Sequence, residues 1–109
     1  LPHLASLEQN AQQFGLIMLT AVWMHLSAAE RAVGMPVLAR LLAPDGILVM
    51  SLRHGPLPPG RRMFAVSADE TIRLATQYGL RCVLDVVTES LQAENRRAGV
   101  TWSRLAFNW

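Results

Sequence analysis

The sequence predicts an α/β fold built on a mainly parallel sheet, and three observations support this prediction. A nearly unbroken apolar run covers Phe14–Leu26; it is shorter than the roughly twenty residues of a membrane span and is typical of a fully buried strand in a parallel sheet. Strand-like and helix-like segments then alternate along the chain. Two capping-box sequences mark helix starts between the strands. The 109 residues are 51% hydrophobic and 17% charged, so we expect one domain, residues 1–109, with its own core.

The first half of the chain is predicted to contain two helices and one strand. Leu4–Gln13 has apolar residues spaced for one helical face, so we expect a short helix there. A strand follows over Gly15–Ala21. Ser27–Glu30 matches a capping box, and the helix that it starts is expected to run to about Ala43. Because Pro36 removes one helical hydrogen bond, we expect a kink or a break just before it.

The next segments are predicted to be a turn, a strand, a loop and a helix. Pro44–Gly46 is a turn signal, and the apolar residues Ile47–Leu52 predict the second strand. Arg53–Arg62 is rich in proline, glycine and arginine, which indicates a shaped loop. Ser67–Glu70 is the second capping box, and Gly79 suits the C-terminal cap of the helix that follows.

Two further strands, Arg81–Thr88 and Val100–Trp109, close the predicted sheet. In the first of them, alternation puts one set of side chains (Cys82, Leu84, Val86) on one face and another (Val83, Val87) on the other. Glu89–Gly99 is polar and too short for a crossover helix, so we expect these two strands to form an antiparallel hairpin. The first three strands are expected to be parallel, with right-handed crossovers.

Composition argues against several classes of function. All ten basic residues are arginines, the net charge is only +2, and the arginines form no clustered basic face, so we expect no nucleic-acid partner. Cys82 is the only cysteine and has apolar neighbours, which indicates a buried thiol and is compatible with a cytoplasmic location. The three histidines lack metal-ligand spacing, so no metal site is expected. We also expect no membrane association, and the first residue, Leu1, is compatible with a fragment or a processed product.

Three stretches carry a resemblance to a known family: FGLIMLTAVWMHL, LARLLAPDGILVMSLRHGP and the SADET…YGL helix with its closing hairpin. Together they resemble the C-terminal half of a class I S-adenosylmethionine-dependent methyltransferase, over essentially the whole chain. The resemblance implies a partial Rossmann-like sheet containing strands 4, 5, 6 and 7 of the family order 3-2-1-4-5-7-6. The family's glycine-rich cofactor loop is missing, since the seven glycines never form G-x-G, and Gly15 replaces the usual acidic residue at the start of strand 4.

The resemblance also assigns residues after the first strand. Thr20, Ala21, Val22 and Trp23 match the segment that contacts S-adenosylmethionine, and Met24 matches the substrate side. Alternatively, Trp23 and Met24 pack in the core. His25 is a candidate general base, because imidazole titrates near neutral pH; the alternative is that it orients the loop or starts the next helix. We expect that this chain alone does not bind the cofactor.

Further candidates follow the second strand. We expect Ser51, Arg53 and His54 to lie just past its end, where the arginine and the histidine could hold an anionic substrate group or a leaving proton; the alternative is a solvent-exposed loop. His54 is thus a second candidate catalytic residue. Arg61 and Arg62 are candidates for carboxylate or phosphate binding. The alternative is that the two arginines are simply solvated. Arg96 is a weaker substrate-side candidate.

Two functions therefore remain open. The first is a methyltransferase fragment that carries the substrate-side half of the fold and is inactive alone. The second is a non-enzymatic interaction or dimerisation module derived from that fold. In either case strand 4 lacks its usual neighbour, and Leu16–Leu19 carry no charge or proline to protect the edge. We therefore expect a homodimer through this strand or the adjacent helices.

Overall fold

The computed structural model describes residues 13–20, 22–56, 63–90 and 92–109. They form a four-stranded sheet with helices in the connections. The elements are β1 (Phe14–Leu19), a one-turn 3-10 helix (Trp23–His25), α1 (Ala28–Leu41), β2 (Leu42–His54), α2 (Ala68–Gln77), β3 (Arg81–Glu89), α3 (Ala93–Arg97) and β4 (Thr101–Asn108). The helix predicted over residues 4–13 lies, apart from its last residue, outside the described residues.

The sheet order is β1-β2-β4-β3. β1 and β2 are parallel, and β4 is antiparallel to both β2 and β3. β3 therefore runs in the same direction as β1 and β2, which confirms the prediction of three parallel strands and an antiparallel last one. The order also equals the segment 4-5-7-6 that the family resemblance implied.

Helix α1 begins as predicted but is not divided. The N–H of Glu30 donates to Oγ of Ser27, and the N–H of Ser27 donates to Oε1 of Glu30. These two bonds complete the capping box. The helix then continues through Pro36 to Leu41 without a break, so the predicted break is wrong. Pro36 has no N–H for the carbonyl of Ala32, one turn earlier, and Ala32 is exposed, so water can take that hydrogen bond.

β2 is longer than predicted at both ends. It begins directly after α1, and Pro44–Gly46 lie within it rather than in a turn. The pairing with β1 absorbs them as a bulge, because the step from Phe14 to Leu16 on β1 spans Leu42 to Ile47 on β2. At the other end the strand runs to His54, so the three residues predicted to follow it belong to the strand itself.

β3 contains a second irregularity that changes its faces. The register shifts between Cys82, which lies opposite Phe107, and Leu84, which lies opposite Ala106. Phe107 and Ala106 are consecutive and point to opposite faces of β4, so Cys82 and Leu84 do the same. The prediction that they share a face is wrong, because Val83 is one extra residue in the strand.

The core lies on the side of the sheet that faces the helices. Met35 and Leu38 of α1 and Ala75 of α2 belong to the same buried cluster as Leu48 and Phe107 of the sheet. The opposite face presents exposed apolar side chains from three strands: Leu16, Met18, Ile47, Leu84 and Val86. We call this set the open face. β1 is thus buried on one side only, which corrects the prediction of a fully buried strand.

Candidate functional site

Two adjoining clefts lie where β2 ends and β4 begins. The larger has a volume of about 540 Å³, and its walls come from three strands and the start of α2: His54, Ala65, Val66, Ser67, Ala68, Glu70, Val87, Thr101 and Ser103. The smaller, of about 120 Å³, is lined by Arg53, His54, Gly55, Ala65 and Val66. His54 lines both, so it is the polar residue common to the two clefts.

A short hydrogen bond fixes the His54 side chain. Its Nε2 lies 2.6 Å from Oγ of Ser103. In the register, Leu52 is opposite Ser103 and Thr101 is opposite His54, so the bond runs diagonally between neighbouring strands on the helix side of the sheet. Ser103 is only 2% exposed, whereas His54 is half-buried. Either group can donate, depending on which ring nitrogen carries the proton.

The wall of the larger cleft also carries one carboxylate, that of Glu70. The predicted capping box at the start of α2 is only half formed: Oγ of Ser67 accepts from the N–H of Glu70 at 3.0 Å. The Glu70 carboxylate instead accepts from Nη2 of Arg31 at 3.2 Å. Arg31 is buried and also donates to the carbonyl of Leu26 at 2.6 Å. This pairing ties the start of α2 to the start of α1.

The residues predicted to contact a cofactor lie beside this region. Trp23 and Met24 are fully buried members of the core, as the alternative prediction had it, and neither lines a described cleft. Thr20 is exposed and Val22 half-buried, while Ala21 lies outside the described residues. The carbonyl of Met24 accepts from the N–H of Phe64 at 2.8 Å, which joins this turn to the segment that leads into the clefts.

The other predicted site residues are dispersed. His25 is half-buried and lines neither cleft. Ser51 is buried in β2 opposite Arg104, away from the clefts. Nη1 of Arg53 donates to the carbonyl of Pro56 at 2.7 Å, so its guanidinium is partly occupied. Arg96 is exposed in α3 and donates to the carbonyl of Ser90.

Arg61 and Arg62 lie outside the described residues. Within the described part of the chain, no group of three or more His, Cys, Asp or Glu side chains could hold a metal ion. No helix among those residues combines the length and apolar character needed to cross a bilayer.

Desolvation raises the pKa of the Cys82 thiol above its ordinary value, so the thiol is not activated as a nucleophile.

Sequence reasoning missed Ser103, Thr101 and Glu70. Ser103 carried a usable signal: it alternates with Leu105 and Phe107, both fully buried, and a polar side chain on a core-facing position needs a partner. The partner itself, His54, was visible only after the strand register had been determined. Glu70 appeared in the sequence only as the second half of a capping box.

The chain matches no known protein-family model and no curated protein. Solved structures are nevertheless similar to it. A SAM-dependent methyltransferase from Leishmania major has a TM-score of 0.69 at 15% identity, over 90% of this chain and 39% of that one. The 1,6-didemethyltoxoflavin-N1-methyltransferase from Burkholderia thailandensis has a TM-score of 0.68 at 14% identity, over 89% of this chain and 44% of that one. N-methyltransferase NodS from Bradyrhizobium japonicum has a TM-score of 0.61 at 20% identity, over 89% of this chain and 51% of that one.

These likenesses establish the fold: an α/β unit that corresponds to part of a methyltransferase domain. The chain spans only about two fifths to one half of the length of these three structures. The described residues do not by themselves fit a complete S-adenosylmethionine site. Between Thr20 and Leu26, where the resemblance assigned contacts to the cofactor, they include no carboxylate that could bind ribose hydroxyls.

Proposed function

We propose that this chain is the substrate-side half of an S-adenosylmethionine-dependent methyltransferase and that it is inactive alone. The observation that carries the proposal is the strand order β1-β2-β4-β3 with only β4 reversed. Similarity over 89% of this chain but at most about half of the similar structures supports it. The cofactor, when bound in such a fold, supplies an electrophilic methyl group.

The chain's own contribution would be to hold the methyl acceptor. The two clefts lie at the carboxyl end of β2, the edge at which open α/β sheets bind ligands. Transfer of a methyl group depends on alignment of the reacting atoms, and a rigid cleft can supply that alignment without a fixed acid or base. Among the described residues, His54 is the one best placed to contact an acceptor, because it lines both clefts.

Calorimetric titration of the chain with S-adenosylhomocysteine tests the proposal. We expect no saturable heat, because the residues present form no complete cofactor site. Cooperative urea unfolding of the same sample, followed by tryptophan fluorescence, would establish that the chain is folded during the titration. Saturable binding at micromolar concentration would contradict the view that the cofactor half lies outside this chain.

The second candidate function is a homodimerisation module, and the open face favours it. Leu16 and Met18 are 58% and 60% exposed, and β1 has no strand partner on its outer side within the described residues. An uncharged strand edge beside an apolar face can pair with a second copy of itself. We propose that two chains associate through β1 and this face.

Light scattering at micromolar concentration tests the association, with two lysine variants as a matched pair. Met18→Lys introduces a charge on the open face and is expected to give a monomer. Val33→Lys does the same at an exposed position of α1 and is expected to leave the dimer intact. A monomeric unmodified chain would refute the proposal, and a dimer broken only by Val33→Lys would move the interface to the helices.

A further inference from the structure

The larger cleft combines apolar walls with a few polar groups at fixed positions. Val66, Ala65, Ala68 and Val87 form apolar surface, while His54, Thr101, Ser103, Ser67 and Glu70 supply the polar atoms. A volume of about 540 Å³ is within the range of small-molecule sites. The polar residues come from β2, β4 and α2, so a molecule in the cleft would contact three elements at once.

The hydrogen bonding of His54 leaves one ring nitrogen for a ligand. Ser103 is the partner of Nε2, and the residues that the structure describes provide no further partner for this ring. An imidazole held through one nitrogen presents the other in a defined direction. A ligand hydroxyl or amine within the cleft could therefore form a hydrogen bond to Nδ1, with Ser103 acting as a positioning residue.

The charges that the described residues place around the cleft disfavour anionic ligands. Among the described residues that line the larger cleft, Glu70 is the only charged one, and its side chain is 41% exposed. Glu89 lies opposite Thr101 in the register and adds a second carboxylate at the same end of the sheet. Arg31, the partner of Glu70, is buried, and Arg53 lines only the smaller cleft. As far as the described residues are concerned, an anion in the larger cleft would face carboxylates without an accessible cation.

We propose that the larger cleft binds small amphipathic molecules that are neutral or cationic and that present a hydroxyl or amine to His54. This departs from the prediction of an anionic group held by Arg53 and His54. It deepens the proposed function, on which it rests, by naming the class of methyl acceptor. The binding itself requires no cofactor, so the chain can be tested as it is.

The test compares two probes that differ in one charged group. Tyramine has an apolar ring, a phenolic hydroxyl and an ammonium group; 4-hydroxyphenylacetate has the same ring and hydroxyl but a carboxylate. Nuclear magnetic resonance titration would follow the ring signals of the histidines. We expect tyramine to shift the His54 signals saturably and the anionic analogue to bind at least tenfold more weakly. Equal binding of both probes, or unchanged His54 signals, would overturn the proposal.

Three variants separate the contributions. Glu70→Gln is expected to reduce the preference for tyramine over 4-hydroxyphenylacetate to less than threefold. Glu94 is an exposed carboxylate on α3, and Glu94→Gln should leave that preference unchanged. In His54→Gln, which lacks the reporting ring, calorimetric titration should show that tyramine binding is lost. If Glu70→Gln proves unstable in urea, the His54→Gln result decides alone. Since tyramine binding and S-adenosylhomocysteine binding are separate measurements, the cleft and the proposed function can fail independently.

Discussion

Gly46 lies in the bulge of β2, beside the backbone of Phe14 in β1, and replacing it with alanine should destabilise the fold. A Cβ at this position would lie 2.7 Å from Cδ1 of Leu42, 2.9 Å from the carbonyl oxygen of Phe14 and 3.0 Å from that of Ala43. The leucine side chain can move, but the two oxygens belong to the backbone of the bulge. Overpacking of this kind costs about 1–3 kcal/mol, against which reduced freedom of the unfolded chain recovers about 0.4–1 kcal/mol.

The expected net loss is about 1–2 kcal/mol in the free energy of unfolding, which corresponds to a fall in Tm of roughly 4–16 °C in a domain of this size. Urea unfolding, followed by the fluorescence of the buried Trp23, measures this loss. An unchanged dependence of the free energy of unfolding on urea concentration would show that the unfolded state is the same. Gly15→Ala is the matched control, since a Cβ there meets nothing within 4 Å. The reasoning would be refuted if Gly46→Ala were as stable as the unmodified chain or more stable. It would also be refuted if Gly15→Ala lost as much stability as Gly46→Ala.

Four other substitutions test features that hold the helices in place. Arg31→Met should lower the free energy of unfolding by about 1–3 kcal/mol because the buried carbonyl of Leu26 loses its donor, whereas Glu70→Gln should cost less than about 1 kcal/mol since its side chain is partly exposed; a larger loss in Glu70→Gln would contradict this. Gly79→Ala and Gly99→Ala should each cost about 1–2 kcal/mol, because both glycines have positive φ angles. Thermal unfolding should rank Gly79→Ala as the more damaging, since its Cβ would also lie 3.3 Å from the Trp109 ring, and the reverse order would be inconsistent with that contact.

Local signals in the sequence predicted the helix ends well. Ser27 caps α1 as expected. Gly79 ends α2 in a Schellman arrangement, in which the N–H of Leu80 donates to the carbonyl of Ala75 and that of Gly79 to Thr76. Such caps depend on residues within one or two turns of each other, so a single stretch of sequence contains the information that determines them.

The features that were mispredicted depend on distant partners. Gly46 resembles a turn residue because its neighbours include proline and aspartate, yet it lies within β2, close to the backbone of Phe14. Glu70 had the right spacing for a capping box, but Arg31, 39 residues earlier, competes for its carboxylate. The pairing of His54 with Ser103 likewise spans 49 residues. The His54–Ser103 contact follows from strand register and the Arg31–Glu70 contact from the packing of α1 against α2, and no local pattern specifies either.

The position of β4 in the sheet affects how the chain acquires its structure. β4 follows the other three described strands along the chain but lies between β2 and β3, so within the described sheet β3 has no strand to pair with until residues 101–108 have been synthesised. A nascent chain that has reached residue 100 therefore exposes unpaired backbone on both β2 and β3. Deleting the final nine residues would remove the middle of the sheet, and folding should be slow because its decisive contacts join distant segments.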